Sequence, residues 1–156
     1  MLILDVPGFA RLELKHLVLD FNGTLAVDGR MIDGVGAMLA QLAPNLDLHV
    51  LTADTFGSVK REFASLQCKI NRISPAEQDT AKRDYVRTLG PQGCVAIGNG
   101  RNDALMVREA MVGIALLQEE GLASACMMSA DILCRSIQDA LGLLVRPRRL
   151  MATLRC

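Results

Sequence analysis

The chain is poor in aromatic residues. Phe, Tyr and Trp together make up 3% of its 156 residues, as four Phe, one Tyr and no Trp. Any core must therefore be built from Leu, Val, Ile, Ala and Met, and the eight methionines are expected as core filler. Net charge is also lacking: 17 basic and 17 acidic residues cancel, which excludes the basic surplus of a general nucleic-acid binder. No apolar run reaches membrane-spanning length, and no basic segment followed by a long apolar one opens the chain. The expectation is a cytoplasmic protein without a membrane partner. The five cysteines, Cys68, Cys94, Cys126, Cys134 and Cys156, are an odd number and contain no C-x-x-C pair. They read as reduced core thiols rather than a disulfide framework or a zinc site, with terminal Cys156 exposed. Repeats, low-complexity tracts and linkers are missing, so residues 1–156 are expected to form one domain.

What the chain does have is apolar runs alternating with amphipathic ones. Two short apolar segments at 2–5 and 11–14 flank Pro7-Gly8 and predict an N-terminal hairpin within 1–15. Strands are expected at about 16–20, 46–51, 68–73, 94–97, 112–116 and 131–134. Helices are expected at 31–42, 56–66, 76–89, 102–110, 121–128 and 136–144, with a basic C-terminal tail over 145–156. Such alternation predicts an α/β fold, a doubly wound parallel sheet with right-handed crossovers.

The chemistry lies at the strand ends. The first central strand runs Leu17-Val18-Leu19 into Asp20, followed by Asn22, Gly23 and Thr24. The second ends in Thr52 and Asp54, and the 94–97 strand ends in Asn99, Asn102 and Asp103. Lys82 lies on the helix preceding that last strand. In a parallel sheet these carboxyl ends converge on one crevice. A carboxylate nucleophile, a hydroxyl, a cation and a second carboxylate are the requirements of phosphoryl transfer. Asp20 would attack phosphorus, Thr52 and amides near Gly23 would hold phosphate oxygens, and Lys82 would neutralise charge. Mg²⁺ between Asp20 and Asp103 would screen carboxylate from phosphate.

The order Asp20-Phe21-Asn22-Gly23-Thr24, Leu51-Thr52, Lys82 and Gly98-Asn99-Gly100-Arg101-Asn102-Asp103 resembles the four motifs of the haloacid dehalogenase-like (HAD) superfamily. Thr52-Ala53-Asp54, Lys82 followed by Val86, and the Asn-Asp-Ala of motif four look most like the phosphorylation domain of P-type ATPases. The whole is similar to the small soluble P-type ATPase-like HAD proteins. The resemblance implies a Rossmann-like core with catalytic Asp20, Asn22, Thr52 and Lys82. It implies phosphate contacts from Gly23, Thr52, Ala53 and Lys82. Mg²⁺ would be held by Asp20, the Asn22 backbone carbonyl, Asn99 and Asp103, with Thr24, Asp54 and Asn102 in support.

Two positions depart from the hydrolase pattern. The family's usual acid/base Asp is Asn22, whose amide exchanges no proton at neutral pH, and a usual metal-ligand Asp is Asn99. The resemblance therefore implies an aspartyl-phosphate on Asp20 that hydrolyses slowly, as in P-type ATPases. The alternative is a non-catalytic phosphate- or ligand-binding regulatory protein on the same fold. A receiver domain fits poorly, because no acidic pair precedes the Asp20 strand.

About 27 residues separate Thr24 from Thr52 and about 29 separate Thr52 from Lys82; core elements fill both gaps, so no cap domain is expected. An open site suits a phosphorylated small molecule or macromolecule, or closure by a second copy in a homo-oligomer. Other polar residues have plainer readings. Asp54 orients Lys82 or caps a helix, Asn102 orients Asp103 or caps, and Thr24 stabilises its turn. Arg101 is a solvated loop residue, and His16 and His49 are structural. Arg146, Arg148, Arg149 and Arg155 belong to a solvated helix end.

Overall fold

A computed structural model of the protein describes residues 1–53, 59, 63 and 66–156. The expected helix at 56–66 and the residue Asp54 lie outside the described residues, apart from Val59 and Phe63, which are buried, and half-buried Leu66. Ten strands are described. β1 (Leu2–Val6) and β2 (Ala10–Leu14) form an antiparallel hairpin, and β4 (Ala26–Val27) and β5 (Arg30–Met31) form a second, very short one. The other six are β3 (His16–Asp20), β6 (Asp47–Thr52), β7 (Cys68–Arg72), β8 (Cys94–Gly98), β9 (Val112–Leu116) and β10 (Ile132–Cys134). They make one parallel sheet in the order β10-β9-β8-β3-β6-β7.

The described helices are α1 (Val35–Leu42), α2 (Gln78–Leu89), α3 (Ala104–Glu109), α4 (Ser124–Met127), α5 (Ile137–Val145) and α6 (Pro147–Leu154). Because strand side chains alternate, β3 feeds two cores. Leu17 and Leu19 point into one apolar cluster with residues of α1, α5 and α6. Val18 points into the other, with Val86 of α2, Met106 and Val107 of α3 and Cys126 of α4. Both faces of β3, β8 and β9 are covered, which is why these strands read as nearly unbroken apolar runs.

Several element boundaries differ from expectation for local reasons. α1 begins at Val35 rather than 31, because Met31 pairs with Ala26 and the Ile32 amide donates to the Leu25 carbonyl. Residues 101–103 form a 3₁₀ turn before α3, held by the Asp103 amide donating to the Gly100 carbonyl. Residues 147–154 form a helix: Leu150 and Leu154 join the core, and the Cys156 amide donates to the Pro7 carbonyl. Arg146, Arg148, Arg149 and Arg155 are exposed.

The methionines only partly serve as core filler. Met106 is buried, whereas Met127 and Met128 are 39% and 80% exposed. All five cysteines are free: Cys94 and Cys126 are buried, Cys68 and Cys134 half-buried, and Cys156 exposed.

Candidate active site

The strand order reverses at β3. From there the chain moves outward through β6 and β7, then returns to place β8 against the other side of β3 and continues to β9 and β10. A reversal of this kind opens a crevice at the carboxyl ends of the two strands flanking it. Asp20 ends β3, and Asn99 follows β8 directly. Thr52 ends β6, one residue beyond the Leu51 that pairs with Asp20. The topology thus delivers Asp20, Thr52, Asn99 and Asp103 to one edge.

Lys82 links the two carboxylates. On the buried face of α2, its Nζ donates to Oδ1 of Asp20 and to Oδ1 of Asp103, both at 2.6 Å. Asp103 is fully buried, and its Oδ2 accepts from the amides of Asn99 (3.0 Å) and Gly100 (2.9 Å). That approach requires Gly98, since a Cβ there would lie 2.5 Å from Cβ of Asp103.

Two carboxylates and one ammonium leave one surplus negative charge. Burial, then the field of Asp103, push the Asp20 carboxyl up to about 7 against the opposing pull of Lys82. Burial disfavours the Lys82 ammonium, yet the two carboxylates outweigh it and hold Lys82 above the ordinary lysine value. A buried cluster with surplus negative charge and oxygen donors fits a hard divalent cation. Asp20 and Asp103 would be its anionic ligands, joined by the Asn22 backbone carbonyl and the Asn99 amide oxygen.

The loop after β3 is a tight turn. Phe21 O accepts from the amides of Thr24, Leu25 and Ala26, and the Gly23 amide donates to Ala26 O at 2.8 Å. Gly23 has φ +78°, and a Cβ on it would lie 2.5 Å from Nδ2 of Asn99, so the position demands glycine twice over. Asn22 is exposed, two residues beyond the end of β3.

Thr24 is fully buried, and its hydroxyl donates to Oδ1 of Asn99 at 3.3 Å, while Nδ2 of Asn99 donates to Gly121 O at 3.0 Å. Asn99 is thus a bridge between two loops as well as a candidate ligand. The Asn102 amide donates to Oε1 of Gln78 at 2.8 Å, tying the loop to the start of α2 instead of orienting Asp103. Arg101 is exposed, and Ala53 is half-buried just beyond β6.

Gln118 escaped the sequence reading. Its Nε2 donates to the carbonyls of Gly23 and Thr24, both at 2.8 Å, and its Oε1 accepts from the Ile137 amide at 2.9 Å. It lies two residues beyond β9, at the same sheet edge as the other polar clusters. Extending the comparison of strand ends to the 112–116 strand would have found it.

No protein-family model matches the chain. The uncharacterized protein MJ0073 of Methanocaldococcus jannaschii is 46% identical over 91 residues, covering 56% of this chain and 98% of that protein. Cation-transporting ATPase 5 of Schizosaccharomyces pombe is 27% identical over 138 residues, which is 87% of this chain and 10% of that protein. A solved structure of 3-deoxy-D-manno-octulosonate 8-phosphate phosphatase from Moraxella catarrhalis, in complex with magnesium, phosphate and KDO, superposes with a TM-score of 0.66. Its identity is 21%, and the match covers 92% of this chain and 94% of that one. The chain shares a family with the archaeal protein, and its fold is that of the HAD phosphatases. It spans nearly all of that archaeal protein, but about a tenth of the yeast transporter. Its six-stranded parallel sheet is the HAD Rossmann-like core.

Proposed function

We propose that this protein is a HAD-type Mg²⁺-dependent phosphatase or phosphotransferase that carries the phosphoryl group on Asp20. The supporting observation is the Asp20–Lys82–Asp103 cluster at the strand-order reversal. An ionised Asp20 oxygen attacks phosphorus, a P–O bond to the carboxylate forms, and the P–O bond to the leaving group breaks. The leaving group departs with the electron pair and takes a proton from solvent if it is basic. Thr52, the main chain around Gly23 and Ala53, and Lys82 hold the phosphate oxygens. Water then attacks phosphorus, the acyl-phosphate bond breaks, and Asp20 is regenerated as carboxylate. Bound Mg²⁺ would screen the repulsion between carboxylate and phosphate; Asp20, Asp103, Asn99 and the Asn22 carbonyl would hold it.

Exposed Asn22 donates no proton to a leaving group and takes none from water. Substrates with good leaving groups, such as acyl, aryl or nucleoside polyphosphates, are favoured, and hydrolysis of the aspartyl-phosphate is slow. This is the P-type ATPase-like element of the reading, supported by the match to the yeast transporter. Restoring the acid/base as Asn22→Asp should raise Mg²⁺-dependent turnover of an aryl phosphate by up to about 10²-fold, the low end of general acid–base contributions. Asp20→Asn should abolish both turnover and the phosphoenzyme. An unchanged rate in Asn22→Asp counts against the role of position 22, and no turnover or adduct in any form overturns the enzyme reading.

A second reading, a non-catalytic phosphate binder, is favoured by one feature. Both ends of the Asn99 amide are already engaged, by Thr24 and Gly121, which weakens its claim as a ligand. On that reading Asp20→Asn retains the bound phosphate compound. Homo-oligomer formation belongs to the first reading. Exposed Leu117, Met128 and Leu133 near edge strand β10 support it, and a monomer in sedimentation at micromolar concentration would refute it.

A further inference from the structure

At the opposite end of β3 lies a second cluster that the proposed phosphoryl chemistry does not use. His16 begins β3 and is the register partner of Asp47, which begins β6; His49 lies two residues further along β6. Residues two apart on a strand share a face, and the parallel register brings His16 to the same face. Nδ1 of His16 lies 3.2 Å from Nε2 of His49 and 3.6 Å from Oδ2 of Asp47, and one ligand atom from each of the three lies within 4.8 Å of the others.

We propose that His16, His49 and Asp47 form a site for a zinc-class divalent transition-metal ion, with water as the fourth ligand. The separations suit it: tetrahedral zinc with bonds of about 2.0–2.1 Å to nitrogen sets ligand atoms about 3.3 Å apart. Two imidazoles and one carboxylate favour a borderline ion over Mg²⁺. The side chain of Asp47 is 58% exposed, so it can close the remaining few tenths of an ångström and leave one position open to solvent.

The Tyr85 hydroxyl offers a partner for the second ring nitrogen of His49. Nδ1 of His49 lies 2.8 Å from the Tyr85 hydroxyl oxygen, which also accepts from Nδ2 of Asn71 at 2.7 Å. In the tautomer that donates from Nδ1 to this oxygen, His49 keeps a lone pair on Nε2 on the His16 side, and such an outer partner is the usual company of a metal-bound histidine. Without metal, His16 fills that lone pair by donating from Nδ1; with metal, its proton moves to its own Nε2 and no net proton is released. Burial lowers the pKa of both imidazoles, that of His49 to about 4, so protons compete little near neutrality.

Two cations oppose the site. Lys69 Nζ is 3.8 Å from Oδ2 of Asp47, and the charge of Lys15 also acts on His16. The site would clamp the amino ends of β3 and β6, about 13 Å of strand away from Asp20 at ~3.3 Å per residue. It is therefore separate from the phosphoryl crevice.

The test is calorimetric titration of the full chain with Zn²⁺ under saturating Mg²⁺, in a Cys156→Ser background that removes the exposed thiol. The expected result is one equivalent bound and a raised melting temperature. His16→Gln and Asp47→Asn should each weaken binding about tenfold or more, Lys69→Ala should tighten it, and Asp20→Asn should leave it unchanged. Substituted Co²⁺ should give the intense visible spectrum of a four-coordinate ion. The proposal is overturned if wild type and Cys156→Ser bind no stoichiometric Zn²⁺, if binding survives both ligand substitutions, or if Asp20→Asn abolishes it.

Discussion

Lys82 donates to Asp103 across 2.6 Å in a setting where the lysine side chain is 1% exposed and the carboxylate 0%. Removing one member of a buried ion pair leaves the other uncompensated, at a cost of about 3–5 kcal/mol. Lys82→Met leaves two carboxylates so exposed to each other, and should destabilise the protein by about that much in urea denaturation at pH 7.5. Pairing it with Asp103→Asn removes one of the two charges, so the double variant should be more stable than Lys82→Met alone. Independent, additive losses would show that the pair is not coupled.

Gln118 fixes the loop carrying Asn22 and Gly23 through two carbonyls. Gln118→Ala deletes three hydrogen bonds, each worth about 0.5–1.5 kcal/mol net, and should lower stability by about 2 kcal/mol. Its larger effect should fall on turnover of an aryl phosphate, reduced about 10–100-fold because the loop amides lose their register. Gln118→Glu keeps the shape but puts a carboxylate oxygen where those carbonyls need a donor, and should not restore the rate. Steady-state kinetics of both variants, compared with their urea midpoints, checks this.

Gly23 and Asn99 meet where no side chain has room. Gly23→Ala should cost about 2 kcal/mol or more, from the left-handed backbone and from the contact with the Asn99 amide. Asn99→Ser frees space, so the double variant should recover part of the loss while the backbone cost remains. A double-mutant cycle in denaturant measures the coupling, and zero coupling refutes the contact.

The thiols should differ in reactivity. Burial raises Cys94 to about 11 and Cys126 to about 12. A raised thiol pKa means less thiolate, so at pH 8 these two should react with a disulfide reagent only after unfolding. Half-buried Cys68 and Cys134 are likewise raised to about 11 and should react slowly. Exposed Cys156 should react at once. Absorbance during native labelling should show one fast equivalent, rising to five in denaturant.

The sheet was legible because its central strands β3, β8 and β9 are buried on both faces and their apolar runs stand out between turn signals. Asp20, Thr52, Asn99 and Asp103 were legible for a related reason: polar residues directly after such runs mark the carboxyl edge. Gln118 sits two residues past its strand, within reach of the same comparison of strand ends, but its role was not legible because its partners are main-chain groups, which carry no residue-type signal. Asn102 was placed at the correct loop, but its partner Gln78 lies 24 positions away, and only the packing of α2 brings them together. The His16–Asp47–His49 grouping was likewise unreadable before register was known, because 33 positions separate the two histidines.

The scarcity of aromatic rings gives the molecule a useful optical property. Its only tyrosine, Tyr85, contacts His49 edge-on at 5.6 Å between ring centroids, and no tryptophan accompanies it. Emission of the tyrosine type thus originates from a single ring beside the paired histidines. Any event at the amino ends of β3 and β6 can be followed without a label, while events at the distant crevice stay dark unless they travel along the strands.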